Sequence, residues 1–133
     1  MKVDSEVAEK DFQRFVEALN LSSVKLERLE KDEKTEVLRL IEHGALAIKD
    51  DGIAVLYPFD EVKFGDEIIT EIEFCSRRIT VKELEKHSQG KTDIEKTRRM
   101  FAFLIGKPSA FLERLSSDDF INFSQVAAFF LPR

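Results

Sequence analysis

Seven of the twelve phenylalanines fall in the last 33 residues of a 133-residue chain that has no tryptophan and one tyrosine. They are Phe101, Phe103, Phe111, Phe120, Phe123, Phe129 and Phe130. Rings of this size carry a large apolar area that must leave water, so the C-terminal quarter has to find cover for an unusual amount of aromatic surface. At about 100° per residue, Phe120, Phe123, Ala127, Phe130 and Leu131 share one face of a helix from Asp118 to Leu131, flanked by Ile121 and Val126. That face is expected to be core. Phe129 lies roughly opposite it, and Phe103 stands away from the stripe of its own helix. A helix apolar nearly all round is either enclosed on every side or covered by a partner. Phe103, Phe111 and Phe129 are therefore the expected docking surface, and Phe120, Phe123 and Phe130 complete the candidate partner-binding set.

The rest of the chain punctuates clearly. Val7, Ala8, Phe12, Phe15, Val16 and Leu19 recur at helical spacing between Asp4 and Asn20. Ser22 or Ser23 can cap a second helical stretch that runs to His43, with a turn near Asp32 where the polar run at 30–36 interrupts its apolar stripe. Gly44 ends it. Ala45–Ile48 and Ile53–Tyr57 flank Lys49-Asp50-Asp51-Gly52, the pattern of a hairpin whose tight turn needs positive φ, and Pro58 closes the second strand. Ile68 to Phe74 alternates like one half-buried strand. Thr80 with Glu83 makes a capping box for a short helix. Asp93–Ile105 places Ile94, Thr97, Phe101 and Leu104 on one face, and Gly106-Lys107-Pro108 stops it. A short helix or turn at 109–115 precedes the last helix, which Ser117 caps. The expected fold is α+β and mostly helical, with a two- or three-stranded antiparallel sheet in the middle and a C-terminal helical bundle. Residues 1–44 read as an acidic helical extension and 45–133 as the main unit, with one domain over 1–133 as the other division.

Charge and residue types narrow the chemistry. The net charge is −5, but residues 1–74 carry 10 basic against 19 acidic side chains and residues 75–99 carry 8 against 4. An acidic first half disfavours a phosphate backbone, whose binding depends on cationic side chains. The basic middle reads as a solvated helix face before it reads as an anion patch. His43, Cys75 and His87 stand far apart and form no ligand-spaced motif, so no metal is expected. No glycine-rich phosphate loop occurs, no cofactor is implied, and no nucleophile has a base within a motif. Asp50-Asp51 and Asp118-Asp119 fit a turn and a helix start better than a catalytic pair. Catalysis is left without a candidate. One thiol, no signal-peptide pattern and no run of about 20 apolar residues point to an intracellular protein off the membrane.

From Leu56 onward an ordered series of short motifs appears: Leu56-Tyr57-Pro58-Phe59, then Gly65, then Ile69-Thr70-Glu71-Ile72-Glu73-Phe74, then Arg77-Arg78-Ile79-Thr80-Val81-Lys82-Glu83-Leu84. Phe103-Leu104-Ile105-Gly106 follows, and then Leu112, Leu115, Asp119 and Phe120, with Phe123 and Phe129-Phe130 beyond. Over about residues 56–131 this order resembles the tail assembly chaperones of Mu/P2-like tailed phages, although Ile79 stands where that family has proline and Ile105 where it has threonine. The resemblance implies a non-catalytic protein that coats the tape measure protein in the host cytoplasm until the tail tube polymerises and is absent from the mature virion. It also implies the tail tube protein as a partner, through a frameshifted extension found in many such phages. A homo-oligomer is a further option; nucleic acid and membrane are not expected partners. Two other readings stand beside it: a small winged-helix-like DNA-binding regulator built on residues 22–57, and a structural tail or neck protein of the virion.

Overall fold

The computed structural model describes residues 3–19, 31–75, 79–87 and 89–130. Helix α1 (Ser5–Ala18) buries Ala8, Phe12, Phe15 and Val16 along one stripe. Helix α2 (Lys31–Glu42) lies against it and contributes Val37, Leu40 and Ile41 to the interior. The cap at Ser22 or Ser23 and most of the segment before Asp32 lie outside the described residues. After α2 the Gly44 amide donates to the Ile41 carbonyl (3.1 Å) and that of Ala45 to Leu40 (3.0 Å), which satisfies the last carbonyls of the helix.

The hairpin forms where Asp51-Gly52 places it. Strands β1 (Leu46–Ile48) and β2 (Ala54–Leu56) pair antiparallel, Leu46 opposite Leu56 and Ile48 opposite Ala54. The turn closes with the Gly52 amide donating to the Lys49 carbonyl at 2.8 Å. The single strand expected over Ile68–Phe74 is in fact two. Strand β4 (Glu67–Ile69) pairs with β3 (Val62–Phe64) in a separate two-stranded hairpin, and β5 (Ile72–Glu73) adds to the other edge of β2. The first sheet therefore has the order β1-β2-β5 with β2 buried in the centre. The alternation in the sequence is continuous, but each half of it pairs with a different neighbour. The signal for β3 is Val62-Lys63-Phe64 before the two-residue turn Gly65-Asp66, a pattern that fits a tight hairpin.

Helix α3 (Val81–His87) starts on the expected capping box: Thr80 Oγ1 accepts from the Glu83 amide at 3.2 Å, and Glu83 Oε1 accepts from the Thr80 amide at 3.0 Å. Helix α4 (Asp93–Ile105) is capped by Thr92 and stopped at Gly106. A four-residue helix α5 (Ser109–Leu112) leads into α6 (Ser117–Ala127), which tightens into a 3₁₀ turn over Ala128–Phe130. Its N-cap is Ser116, one residue earlier than expected; the Ser116 hydroxyl accepts from the Asp119 amide at 3.2 Å.

A run of phenylalanine rings crosses the core. Phe12 meets Phe129 (centroids 5.8 Å apart), Phe129 meets Phe15, Phe15 meets Phe130, and Phe130 stacks on Phe74 at 5.4 Å. Phe74 then stacks on Phe123 at 5.1 Å, and Phe123 meets Phe101 at 5.5 Å. Such pairs add roughly 0.5–1.5 kcal/mol each beyond the area they bury. This arrangement corrects the docking surface expected from sequence: Phe129 and Phe111 are fully buried, as are Phe123 and Phe130. The cover for Phe129 is α1, whose Phe12 and Phe15 close over its ring. Phe111 is sealed by Phe64 of the unexpected hairpin, edge to face at 5.6 Å. The buried side chains of α1 and α2 belong to the same core as those of residues 45–130.

Two polar contacts fasten this arrangement. Arg14 of α1 donates through Nε to the Lys49 carbonyl (2.8 Å) and through Nη2 to the Ile48 carbonyl (2.5 Å), with Asp11 bridging it at 2.9 Å. Here α1 meets the β1–β2 turn so closely that a Cβ on Gly52 would sit 2.3 Å from that of Ala18, and Gly52 holds φ +88°. The second is Asp119. Its carboxylate, 1% exposed, accepts from the amides of Phe59 (2.7 Å) and Asp60 (3.1 Å), tying the loop after β2 to the start of α6.

Candidate functional site

With the inner rings sealed, the surface that remains apolar is set by how α6 is seated. The Ser116 cap and the Asp119 tether fix its first turn, and this turn places Phe120 at the surface, half-buried, between two grooves. One groove, of about 650 Å³, runs between the N-terminal half of α4 and the α5–α6 connection, with Ile94, Thr97, Leu115 and Phe120 among its walls. The other, of about 510 Å³, lies between α2 and α6 and is lined by Phe120, Ile121, Gln125 and Ala128. Phe120 packs inward on Phe101 and Phe123 with centroids 6.2 and 6.3 Å away, so its ring is held in place.

Two isoleucines stand out beside it. Ile94 is 71% exposed and Ile121 54% exposed. Ile94 was expected on the buried stripe of α4; the buried residues of that helix begin only at Met100 and Phe101, and its first residues are exposed. Ile121 flanks the buried face of α6 and turns outward. The rim is mostly acidic: Asp32, Glu33 and Glu36 of α2 border the second groove, Asp93 and Glu113 the first. Glu36 pairs with Arg39 at 3.3 Å, and Glu113 pairs with Arg98 across the first groove. The Arg98 Nε is buried and has no acceptor among the described residues, which leaves one donor at the wall of that groove to be satisfied.

Of the six phenylalanines singled out from sequence, only Phe120 and Phe103 keep exposed surface. They do not meet. Phe103 lies on another side of α4, where His87 stacks on its ring at 3.9 Å and 10°. Phe59, in the loop tied to Asp119, is 65% exposed. Ile94, Ile121 and Phe59 were not singled out for binding. The signal available was that Ile94 precedes the first full turn of its stripe and Ile121 sits at the edge of its own.

Among the described residues, no group of three or more His, Cys, Asp or Glu is gathered as metal ligands would be. His43 is exposed just beyond α2, Cys75 is partly buried beside the end of α4 with its amide on the Leu104 carbonyl (2.8 Å), and His87 is on Phe103. No helix among the described residues is long and apolar enough to cross a membrane. No family model, curated protein or solved structure matches the chain.

Proposed function

We propose that the protein is a non-catalytic assembly chaperone that covers an amphipathic helical segment of a partner. In the form the motif resemblance implies, the client is the tape measure protein of a phage tail, shielded in the host cytoplasm until the tail tube protein assembles around it. The observation that carries this reading is the Phe120 ridge with an apolar groove on each side and Ile94 and Ile121 exposed next to it. A helix laid into such grooves buries its i, i+3, i+4 stripe and leaves its polar flanks to the rim. The acidic rim favours flanking Lys and Arg on the client, and the surplus of negative charge over residues 1–74 keeps a complex with an apolar client soluble.

The surface differs from the one expected from sequence. Phe111, Phe123, Phe129 and Phe130 are core, Phe123 and Phe101 pack beneath Phe120, and Phe120 with two isoleucines supplies the contact. Co-expression with a long helical tape measure protein is expected to give a soluble complex that co-purifies. Ile94→Asp combined with Ile121→Asp alters side chains already in water, so melting should shift by no more than about 3 °C. The same pair should weaken the complex at least tenfold, since it puts charge into a contact that excludes water. A double variant that binds the client as well as the parent overturns the surface. A client that stays insoluble with the parent protein overturns the chaperone reading itself.

A further inference from the structure

The cleft between the end of α3 and the second half of α4 collects positive charge. Lys86 and His87 reach it from α3, Arg99 from α4, and Lys107 from the turn that follows α4. Among the described residues no aspartate or glutamate lines it, in a chain with 26 acidic and 21 basic side chains. Gln89 and Ser109 add neutral polar groups, and Phe103 forms an apolar wall under the His87 ring. Two helices end here, and a cation beside a helix C-terminus is favourable on dipole grounds alone. That accounts for one cation per helix end, not for three, with an imidazole beside them, around a concavity of about 470 Å³. Among the described residues only Arg99 of these is engaged by a carboxylate, giving Nη2 to Glu95 at 3.0 Å. Lys107 rests 5.6 Å from the Phe111 ring centroid, a cation–π contact that holds it at the edge of the cleft. Neither Lys86 nor Lys107 makes an ion pair among the described residues. Lys107 lies outside the basic run of residues 75–99, so the convergence is made by the fold and not by local composition.

We infer that this cleft is a binding site for an oligophosphate, two or three linked phosphate groups either free or carried by a nucleotide. A carboxylate would be satisfied by one two-pronged arginine contact. The cleft instead offers two ammonium groups, a guanidinium, an imidazole, an amide and a hydroxyl, a donor set that suits several phosphate oxygens approached from different sides. Its volume exceeds that of a single phosphate. The site lies on another side of α4 from the Ile94 groove and is independent of the chaperone reading.

Titration calorimetry on the full chain with inorganic tripolyphosphate tests this. Saturable binding of one equivalent is expected in 50 mM salt, weakening as salt rises. Lys86→Glu and Lys107→Glu should each lower affinity at least tenfold. Lys63→Glu, which makes the same change of net charge on the exposed face of β3, should alter it by less than twofold, and circular dichroism should show all three variants folded. With ATP as the second probe, equal affinity assigns the site to the phosphate chain alone, and tighter binding assigns it to a nucleotide whose base lies on the His87–Phe103 stack. No saturable binding, or a loss with Lys63→Glu equal to that with Lys86→Glu, overturns the site. A single-stranded RNA that binds far more tightly than either probe and is not displaced by tripolyphosphate replaces it with a nucleic-acid surface.

Discussion

Asp119 shows how one buried side chain holds two distant parts of the chain in register. Its two carboxylate oxygens take the amides of Phe59 and Asp60, while its own amide completes the Ser116 cap. Hydrogen bonds to a charged acceptor are among the stronger ones, and removing the acceptor leaves the Phe59 and Asp60 amides without it. Asp119→Ala is expected to cost about 2 kcal/mol in urea unfolding. Asp119→Asn should cost nearly as much, because the new NH₂ group would face an amide that also donates. From sequence, Asp119 reads only as an acidic residue in the first turn of a helix. The tether spans some 60 positions, and nothing local to Asp118-Asp119 tells which of the two turns inward. Phe129 was illegible for a similar reason. Its angular position relative to Phe123 and Phe130 is readable, but the α1 surface that covers it comes from the other end of the chain.

Elements were read best where the local chemistry is self-contained. The β1–β2 hairpin, the Thr80 capping box and the stop at Gly106 each depend on a few adjacent residues, and each forms at the position the sequence indicates. The alternation over Ile68–Phe74 hides two strands because period two reports a half-buried extended segment and not which neighbours it pairs with. Docking of one element on another is where glycine matters most. Gly52 both carries positive φ and lets the turn approach α1 within the reach of Arg14. Gly52→Val would be strained in φ and would collide with Ala18 and the Arg14 carbonyl. It is expected to lower stability by about 2–4 kcal/mol in thermal or denaturant unfolding, more than Gly65→Val in the other hairpin, where a Cβ meets nothing within 4 Å. Lys49 in the same turn is held above its usual pKa by the Glu73 carboxylate it binds at 2.8 Å. Any support from that exposed pair is present at neutral pH and is lost only as alkali carries Lys49 through its raised value.

At the scale of the whole molecule, the buried side chains of the N-terminal helices share one core with those of residues 45–130. Phe12 and Phe15 are part of the same aromatic run as Phe74, Phe123 and Phe130. A fragment beginning at residue 45 would leave Phe129 and Phe130 without α1. It is expected to show helical circular dichroism but no cooperative melting, and to bind a dye such as ANS. Supplying residues 1–44 as a separate chain should restore the transition, a result that analytical sedimentation of the mixture would check. The α+β class and the content of helix were legible because they are sums of local signals. The candidate surface was not, since exposure is decided by what remains after distant segments have met. The interlocking of the first helix with the last turn also sets a schedule for biosynthesis. Residues 128–130 leave the ribosome long after α1, at roughly 5–20 residues per second, so the greasy side of α1 waits several seconds for its mate. Closure is therefore a late, high-contact-order event, and the apolar face of α1 stays uncovered on the nascent chain until it occurs.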